Sequence, residues 1–380
     1  MRYSLLNFVA CPRCGTELTC LTLRESAAVI SPVGFAESTR VSPEGAVVGP
    51  LPHVKATTPV ASALAKHAGQ PAPPDRNYQV EVEEGLLACV SCGAWFPIIA
   101  NIPEILPDHL RDWEKEGAWL AERRPQLPAD VADALARFRP ANASDAGAHH
   151  KLAEISLPSK ITDPAFFGPG YVSPFNLWTP EHTWHLIRNF AVAEPLLEVP
   201  RGGVVLDAGS GYSWTTEWML RSGYEPIGMD ICRTYLEIAV ARIGVNRPHL
   251  VVGETEHLPM RATSVDAVIA FEAFHHIPDR KRAMVEFNRV LKARCPVVLV
   301  EPGGAHEHAA VSVEVMDKYG TLEKGMELED VMAYAEGTGL GECRQQEIQR
   351  REIRMNGDRR QPLDQMVPVV ANNIYTLRKN

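Results

Sequence analysis

VVLDAGSGYSW, residues 204–214, runs a short apolar stretch into an acid and then into a glycine turn. Val204, Val205 and Leu206 read as a buried strand, while Gly209 and Gly211 let the chain turn tightly into a helix and bring backbone amides close to a ligand. Outward from this point, short apolar strands alternate with helical patterns. The strands are PIGMD (226–230), HLVVGE (249–254), VDAVIAFE (265–272) and PVVLVEP (296–302). Between the last two, RKRAMVEFNRVLKA (280–293) places Ala283, Phe287, Val290 and Leu291 on one helical face. This alternation predicts an α/β fold with a doubly wound, mostly parallel sheet. Ligands in such sheets bind beyond the carboxyl ends of the strands, so the residues that follow each strand are the candidates for chemistry.

Four of those segments share one pattern. They are DAGSG (207–211), Asp230 closing the second strand, GETEHLPM (253–260) and FEAFHHIPD (271–279). In this order and spacing they resemble class I S-adenosylmethionine-dependent methyltransferases, with a Rossmann-like core, over about Thr179 to Val300 and more loosely beyond. Trp214 stands where dinucleotide binders place the third glycine of G-x-G-x-x-G, which serves close helix–strand packing, so its indole argues against NAD. Asp230 lies about 20 positions after Asp207, where an acid accepts ribose hydroxyl hydrogens. The resemblance implies that Asp207, Gly209, Ser210, Gly211, Asp230, Ile231, Glu254, Thr255 and Phe271 bind the cofactor, Glu254 accepting from the adenine amino group. Ser213 departs from the family, many of whose members have glycine there.

Methyl transfer is an in-line displacement, so the protein must position the acceptor and remove its proton when it is a hydroxyl. His275 and His276 follow the fourth strand, within reach of an acceptor, and histidine is readily poised near neutral pH. Glu301, His306 and His308, just past the fifth strand, form a second cluster. His275, His276 and Glu301 are the catalytic candidates.

At the other end of the chain, ACPRCGTEL and LLACVSCGAWFPI each carry CxxCG. Two such knuckles point Cys11, Cys14, Cys89 and Cys92 at one centre, and four thiolates suit a closed, structural tetrahedral zinc site. With the following NIPEILPDH, these segments resemble the zinc-ribbon proteins that act as small activator subunits of tRNA, rRNA and release-factor methyltransferases. The resemblance covers about the first 110 residues, interrupted by an Ala-, Pro- and Gly-rich insertion from Ser26 to Pro74. Three regions are therefore expected: a zinc-ribbon domain over 1–109, a helical and aromatic connecting or lid region over 110–178, and the methyltransferase domain over 179–380. In the middle region LRDWEKEGAWLAERR and ADVADALARF read as helices and ANASDAGAHHK as a loop. The aromatic FFGPGYVSPFNLWTPEHTWHLIRNF reads either as a lid or as a helix packed on the sheet.

The 380 residues include 45% hydrophobic and 22% charged positions, which suits a globular protein and excludes wholesale disorder. No apolar run approaches membrane-span length and no signal peptide opens the chain, so a cytoplasmic location is expected. A net charge of -9 works against unaided binding of a polyanion. Three readings of the acceptor follow. AGSGYSW with EWML, and EPGGAHEHAAVSVEVMDKYGTLEKGMELEDV (301–331), resemble methyltransferases of polysaccharide and glycosyl-transfer pathways, implying a saccharide, glycolipid or other small-molecule hydroxyl. A ribbon ahead of the core also resembles ribosomal RNA guanine methyltransferases. Against RNA stand the acidic charge and Phe271-Glu272-Ala273-Phe274, where enzymes acting on planar exocyclic or amide nitrogens carry Asn/Asp-Pro-Pro-aromatic, a motif that guanine ring-nitrogen enzymes also lack. The third reading is a non-catalytic scaffold that binds the cofactor and uses the ribbon for protein partners or self-association.

Overall fold

The structure is a computed structural model that describes residues 1–27, 58–67, 80–141, 145–160, 174–175, 180–244, 247–346, 352–356, 359–363 and 372–380. Most of the Ser26–Pro74 insertion and of the aromatic segment 166–179 lies outside them.

The N-terminal unit is a four-stranded antiparallel sheet of β1 (Leu18–Ala27), β2 (Val80–Cys89), β3 (Trp95–Ile99) and β4 (Ile102–Pro103), paired in chain order. Helix α1 (Pro59–His67), which falls inside the insertion, packs on this sheet together with α2 (Trp113–Arg123) and α3 (Ala129–Ala136). Trp95 and Trp119 lie buried in that layer with Val60, Val131 and Leu135. The two helices expected over 110–138 are thus present, and they are fastened to the ribbon by apolar burial instead of spanning open space. The expected loop 141–151 is only partly a loop. Helix α4 (Ala148–Lys160) begins inside it, where the Asp145 carboxylate accepts the Gly147 N–H at 2.8 Å and turns the chain into the helix.

Helix α5 (Pro180–Leu196) takes up the end of the aromatic segment and packs on the catalytic sheet through Leu186, Phe190 and Ala193, as the packing alternative expected. That sheet holds β5 (Val204–Ala208), β6 (Glu225–Asp230), β7 (His249–Val252), β8 (Ala267–Phe271), β9 (Pro296–Pro302), β10 (Leu340–Gln346) and β13 (Asn372–Lys379). Its order is β10-β13-β9-β8-β5-β6-β7, parallel from β9 through β7, with β13 antiparallel to both of its neighbours. A short hairpin, β11 (Glu352–Asn356) with β12 (Arg359–Leu363), stands before the last strand. Side chains alternate across the sheet as strand geometry requires. Val205, Ile269 and Val298 face α5 and α6 (Trp214–Arg221), while Leu206, Val268 and Val297 face the opposite layer, which includes α8 (Arg280–Val290) and α10 (Leu328–Ala335). Two further helices, α7 (Arg233–Ile243) and α9 (Ala310–Tyr319), complete the set.

Helix α8 ends at Val290, shorter than its apolar pattern. Leu291 turns extended, bridges to Val265 and remains in the core, so its burial comes from the loop into β9 and not from the helix.

Ribbon and catalytic sheet share one apolar cluster, in which Leu5, Val9, Leu18 and Phe96 meet Leu206, Val251, Met260 and Phe274. The sheet edge at β7 is covered: the Ile105 N–H donates to the Val252 carbonyl at 2.8 Å and Glu104 bridges parallel to Val252. An edge strand left bare would invite pairing with other chains. Around the apolar seam, Arg233 pairs with Glu104 at 2.6 Å, Arg261 with Glu17 at 2.5 Å and Arg247 with Glu81 at 2.8 Å. No helix among the described residues is long and apolar enough to cross a membrane.

Candidate active site

The strand order reverses beside β5, between β6 and β8, and a crevice opens at their carboxyl ends. A cavity of ≈ 400 Å³ lies there, within the ordinary size of a small-molecule site. Gly209, Gly211, Asp230, Ile231, Glu254 and Thr255 line it, together with His276 and His306.

At its cofactor end, Gly209 adopts φ +80° and Gly211 φ +51°, and any side chain at Gly209 would strike Ala273. Glycine is therefore required twice, once for the turn and once for the space. Ser213, the position that departs from the family pattern, also lies in the left-handed region at φ +55°, with its hydroxyl 3.1 Å from that of Ser210. Trp214 is buried against Phe190, Trp218 and Phe271, so the indole that replaces the third glycine fills the α5 side of the sheet.

Asp207 is fully buried. Its Oδ2 accepts the Thr215 and Thr216 hydroxyls at 2.6 and 2.5 Å, while Oδ1 has no hydrogen-bond partner, and burial pushes the carboxyl up to about 6. Asp230 accepts the Gly211 and Cys232 N–H groups, both at 2.8 Å, yet burial still pushes it up to about 7. Asp230, which lines the cavity, gains from a ligand that brings hydrogen-bond donors or positive charge, which S-adenosylmethionine does. The glycine cradle and the cavity-facing Asp230 fit that cofactor. Asp207, Phe271 and Ser210 do not line the cavity; they support the loop from behind.

Glu254 is held by groups the sequence did not single out. Its Oε1 accepts the Glu256 N–H at 2.8 Å and stands 3.0 Å from the Lys151 ammonium, and Oε2 is 2.9 Å from His257 Nδ1. Burial raises this carboxyl, but His257 and Lys151 outweigh burial and hold it below its ordinary range. Lys151, only 3% exposed, also pairs with Asp145 at 2.7 Å and Glu256 at 2.5 Å. It comes from α4, in the part of the chain that reads as a loop.

His276, His306, Glu154 and Glu323 line the same cavity. Behind them Glu301 is wholly buried and accepts the N–H groups of Ala273, Phe274 and His275 at 3.2, 2.8 and 3.2 Å. Its Oε2 lies 2.6 Å from His275 Nδ1. His275 Nε2 faces Glu323 at 3.5 Å. Burial works to strip the His275 proton, but Glu301 and Glu323 outweigh it and push the ring up to about 10. His276 Nδ1 donates to the Leu322 carbonyl at 2.6 Å, and His306 Nε2 is 2.8 Å from Glu323. Burial raises Glu323, yet its hydrogen bonds with His275 and His306 carry it far below the usual carboxylate range. His308 is 79% exposed and takes no part in the cluster. Glu154 and Glu323 carry no motif, and only folding places them beside the histidines.

In the ribbon the four cysteines converge. Cys11 and Cys92 sulfurs are 3.6 Å apart and Cys14 and Cys89 sulfurs 3.4 Å, close to the edges of a thiolate tetrahedron around zinc. Gly15 at φ +72° and Gly93 at φ +76° close the two knuckles. The Cys92 N–H reaches the Cys89 sulfur at 3.5 Å, the kind of amide support a metal thiolate takes. This donor set fits structural zinc and leaves no position for substrate.

Sheet, glycine loop and cavity together define a class I methyltransferase domain carrying a small N-terminal cysteine ribbon. In agreement, residues 206–299 match the methyltransferase domain family and residues 2–99 match the Trm112p-like protein family, so the chain unites these two domains. Among curated proteins, it is 30% identical over 145 residues to methyltransferase GfsG of Streptomyces halstedii, covering 36% of this chain and 51% of that one. It is 32% identical over 112 residues to a demethylmenaquinone methyltransferase of Thermotoga maritima, covering 29% and 48% respectively. The chain thus spans about half the length of these relatives. Among solved structures, the Bacillus subtilis protein YcgJ aligns with a TM-score of 0.38 at 22% identity, over 44% of this chain and 73% of that one. The complex of the Haloferax volcanii Trm112 methyltransferase activator with a methyltransferase aligns with a TM-score of 0.39 at 18% identity, over 52% and 89%.

Proposed function

We propose that this chain transfers a methyl group from S-adenosylmethionine to a hydroxyl of a saccharide, glycolipid or other small molecule, with zinc holding the ribbon. The observation that carries the reading is one cavity lined both by Gly209, Gly211 and Asp230 and by His276, His306 and Glu323. When bound, the cofactor supplies a methyl group activated on a positively charged sulfur.

In this reading Asp230 takes the ribose hydroxyls, Asp207, Ser210 and Phe271 keep the loop in shape, and Ile231 packs beside the adenosine. Glu254 and Thr255 meet the adenine. At the acceptor end His276 contacts the substrate, while His275 and Glu301 act as positioning residues. Glu301 gathers three backbone N–H groups and thereby sets the turn that carries both histidines. His306, oriented by Glu323, takes the hydroxyl proton, a step that in general-base enzymes contributes about 100-fold or more.

Radiolabelled methyl uptake, assayed with extract fractions of RNA, protein, glycan and small molecules, tests the acceptor. Uptake into glycan or small molecules is expected. Calorimetry with S-adenosylmethionine tests the donor: absence of binding, with Asp230→Ala equal to wild type, would sink the enzymatic reading and leave a scaffold.

The match of residues 2–99 to Trm112p-like proteins favours a second reading, methylation of RNA. It predicts uptake into the RNA fraction and RNA retention that weakens steeply with salt.

A further inference from the structure

The acceptor end holds more ligating groups than a proton acceptor requires. One donor atom from each of His275, His276 and Glu323 lies within 4.8 Å of the other two. We propose that these three residues bind a divalent cation at the acceptor end of the cavity, distinct from the four-cysteine ribbon.

Three observations support the assignment. The first is spacing: His275 Nε2 stands 3.5 Å from a Glu323 oxygen, and donors held at about 2.1 Å from a small cation stand roughly 3–3.4 Å apart. Small side-chain movements close the set. The second is the arrangement behind the ligands. His275 has Nδ1 on the Glu301 carboxylate at 2.6 Å, and His276 has Nδ1 on the Leu322 carbonyl at 2.6 Å. Metal-bound imidazoles are oriented in this way through their other nitrogen, which leaves Nε2 of each ring as the ligand atom. His306 supports the Glu323 carboxylate at 2.8 Å in the same manner. The third is an unsatisfied group: Glu154 Oε1 is buried, has no hydrogen-bond partner and lies 3.6 Å from His276 Nδ1. A cation there would sit near Glu154 and Glu323 and add its positive charge to that of the imidazoles.

Two imidazoles and a carboxylate suit manganese, iron or zinc, and leave positions open for oxygen donors. Resting on the methyl-transfer reading, those positions would take the acceptor hydroxyl, favouring acceptors with two neighbouring oxygens such as a diol. Metal binding itself does not depend on that reading.

Manganese(II) alone provides the probe, because the ribbon's thiolates prefer softer metals. The full chain, its zinc content first set by elemental analysis, is titrated with manganese without cofactor, and free manganese is read by electron paramagnetic resonance. One manganese per chain is expected, with binding weakened at least tenfold in Glu323→Gln and in His276→Ala and unchanged in His308→Ala. Saturation with no manganese bound by the wild type overturns the proposal, and so does binding that both site variants retain. Should a variant misfold, judged by circular dichroism, the wild-type stoichiometry still decides. Cofactor calorimetry on the same samples separates this result from failure of the methyltransferase reading.

Discussion

Asp230 links the cofactor end of the site to pH. Its folded value near 7 stands well above the ordinary aspartate range because burial penalises the charge. In the empty protein this carboxyl is therefore favoured in its protonated form, and the stability it contributes is present at low pH and lost as pH rises through about 7. Ribose hydroxyls donate to the carboxylate and favour the ionised form, so cofactor binding must release the proton. Affinity for S-adenosylmethionine is expected to fall below pH 7, by up to about tenfold per unit. Asp230→Asn should bind about 100-fold more weakly and show no such dependence, since a charge-assisted hydrogen bond contributes roughly 1.5–3 kcal/mol. Calorimetry between pH 5.5 and 8 checks both, and a flat wild-type profile would remove Asp230 from the ribose.

Among the elements, the ribbon and its helices depend on two buried polar devices. Arg111, just before α2, is enclosed between Trp95, Phe96 and Trp113, with its guanidinium 3.8 Å from the Trp113 ring centroid, and pairs with buried Glu116. Arg111→Ala strands that carboxylate and removes the stacking surface, at a cost of about 3–5 kcal/mol. Replacing both partners with Arg111→Met and Glu116→Leu should cost far less, because no charge is left alone; urea midpoints distinguish the two. The second device is the four-thiolate centre. Cys11→Ser or Cys89→Ser is expected to lose zinc by elemental analysis and to unfold the ribbon. A folded variant with full metal content would disprove the ligand set.

For the whole molecule, ribbon and catalytic sheet share one apolar cluster, so they should unfold together. A single thermal transition is expected in the wild type, and stripping zinc should lower the midpoint seen through Trp214 and Trp218, both far from the four ribbon cysteines in the sequence. Val9→Asp, which buries a lone charge at the seam, should lower it too, by more than about 2 kcal/mol of stability. Two independent transitions would show that the seam carries no cooperativity. At this scale the reach of sequence becomes visible. Short apolar runs, the Gly209–Gly211 turn and the paired CxxCG knuckles were legible because each is local: a turn needs its glycines and a thiolate knuckle needs its spacing. From these the doubly wound sheet and the ribbon follow. Lys151, Glu154 and Glu323 were not legible, since each acts through partners on other elements and a lone lysine or glutamate has no periodic signature. Likewise only the tertiary structure put the ribbon over the β7 edge and set Glu301 behind His275, because burial and electrostatic pairing arise between segments that meet when the chain is folded.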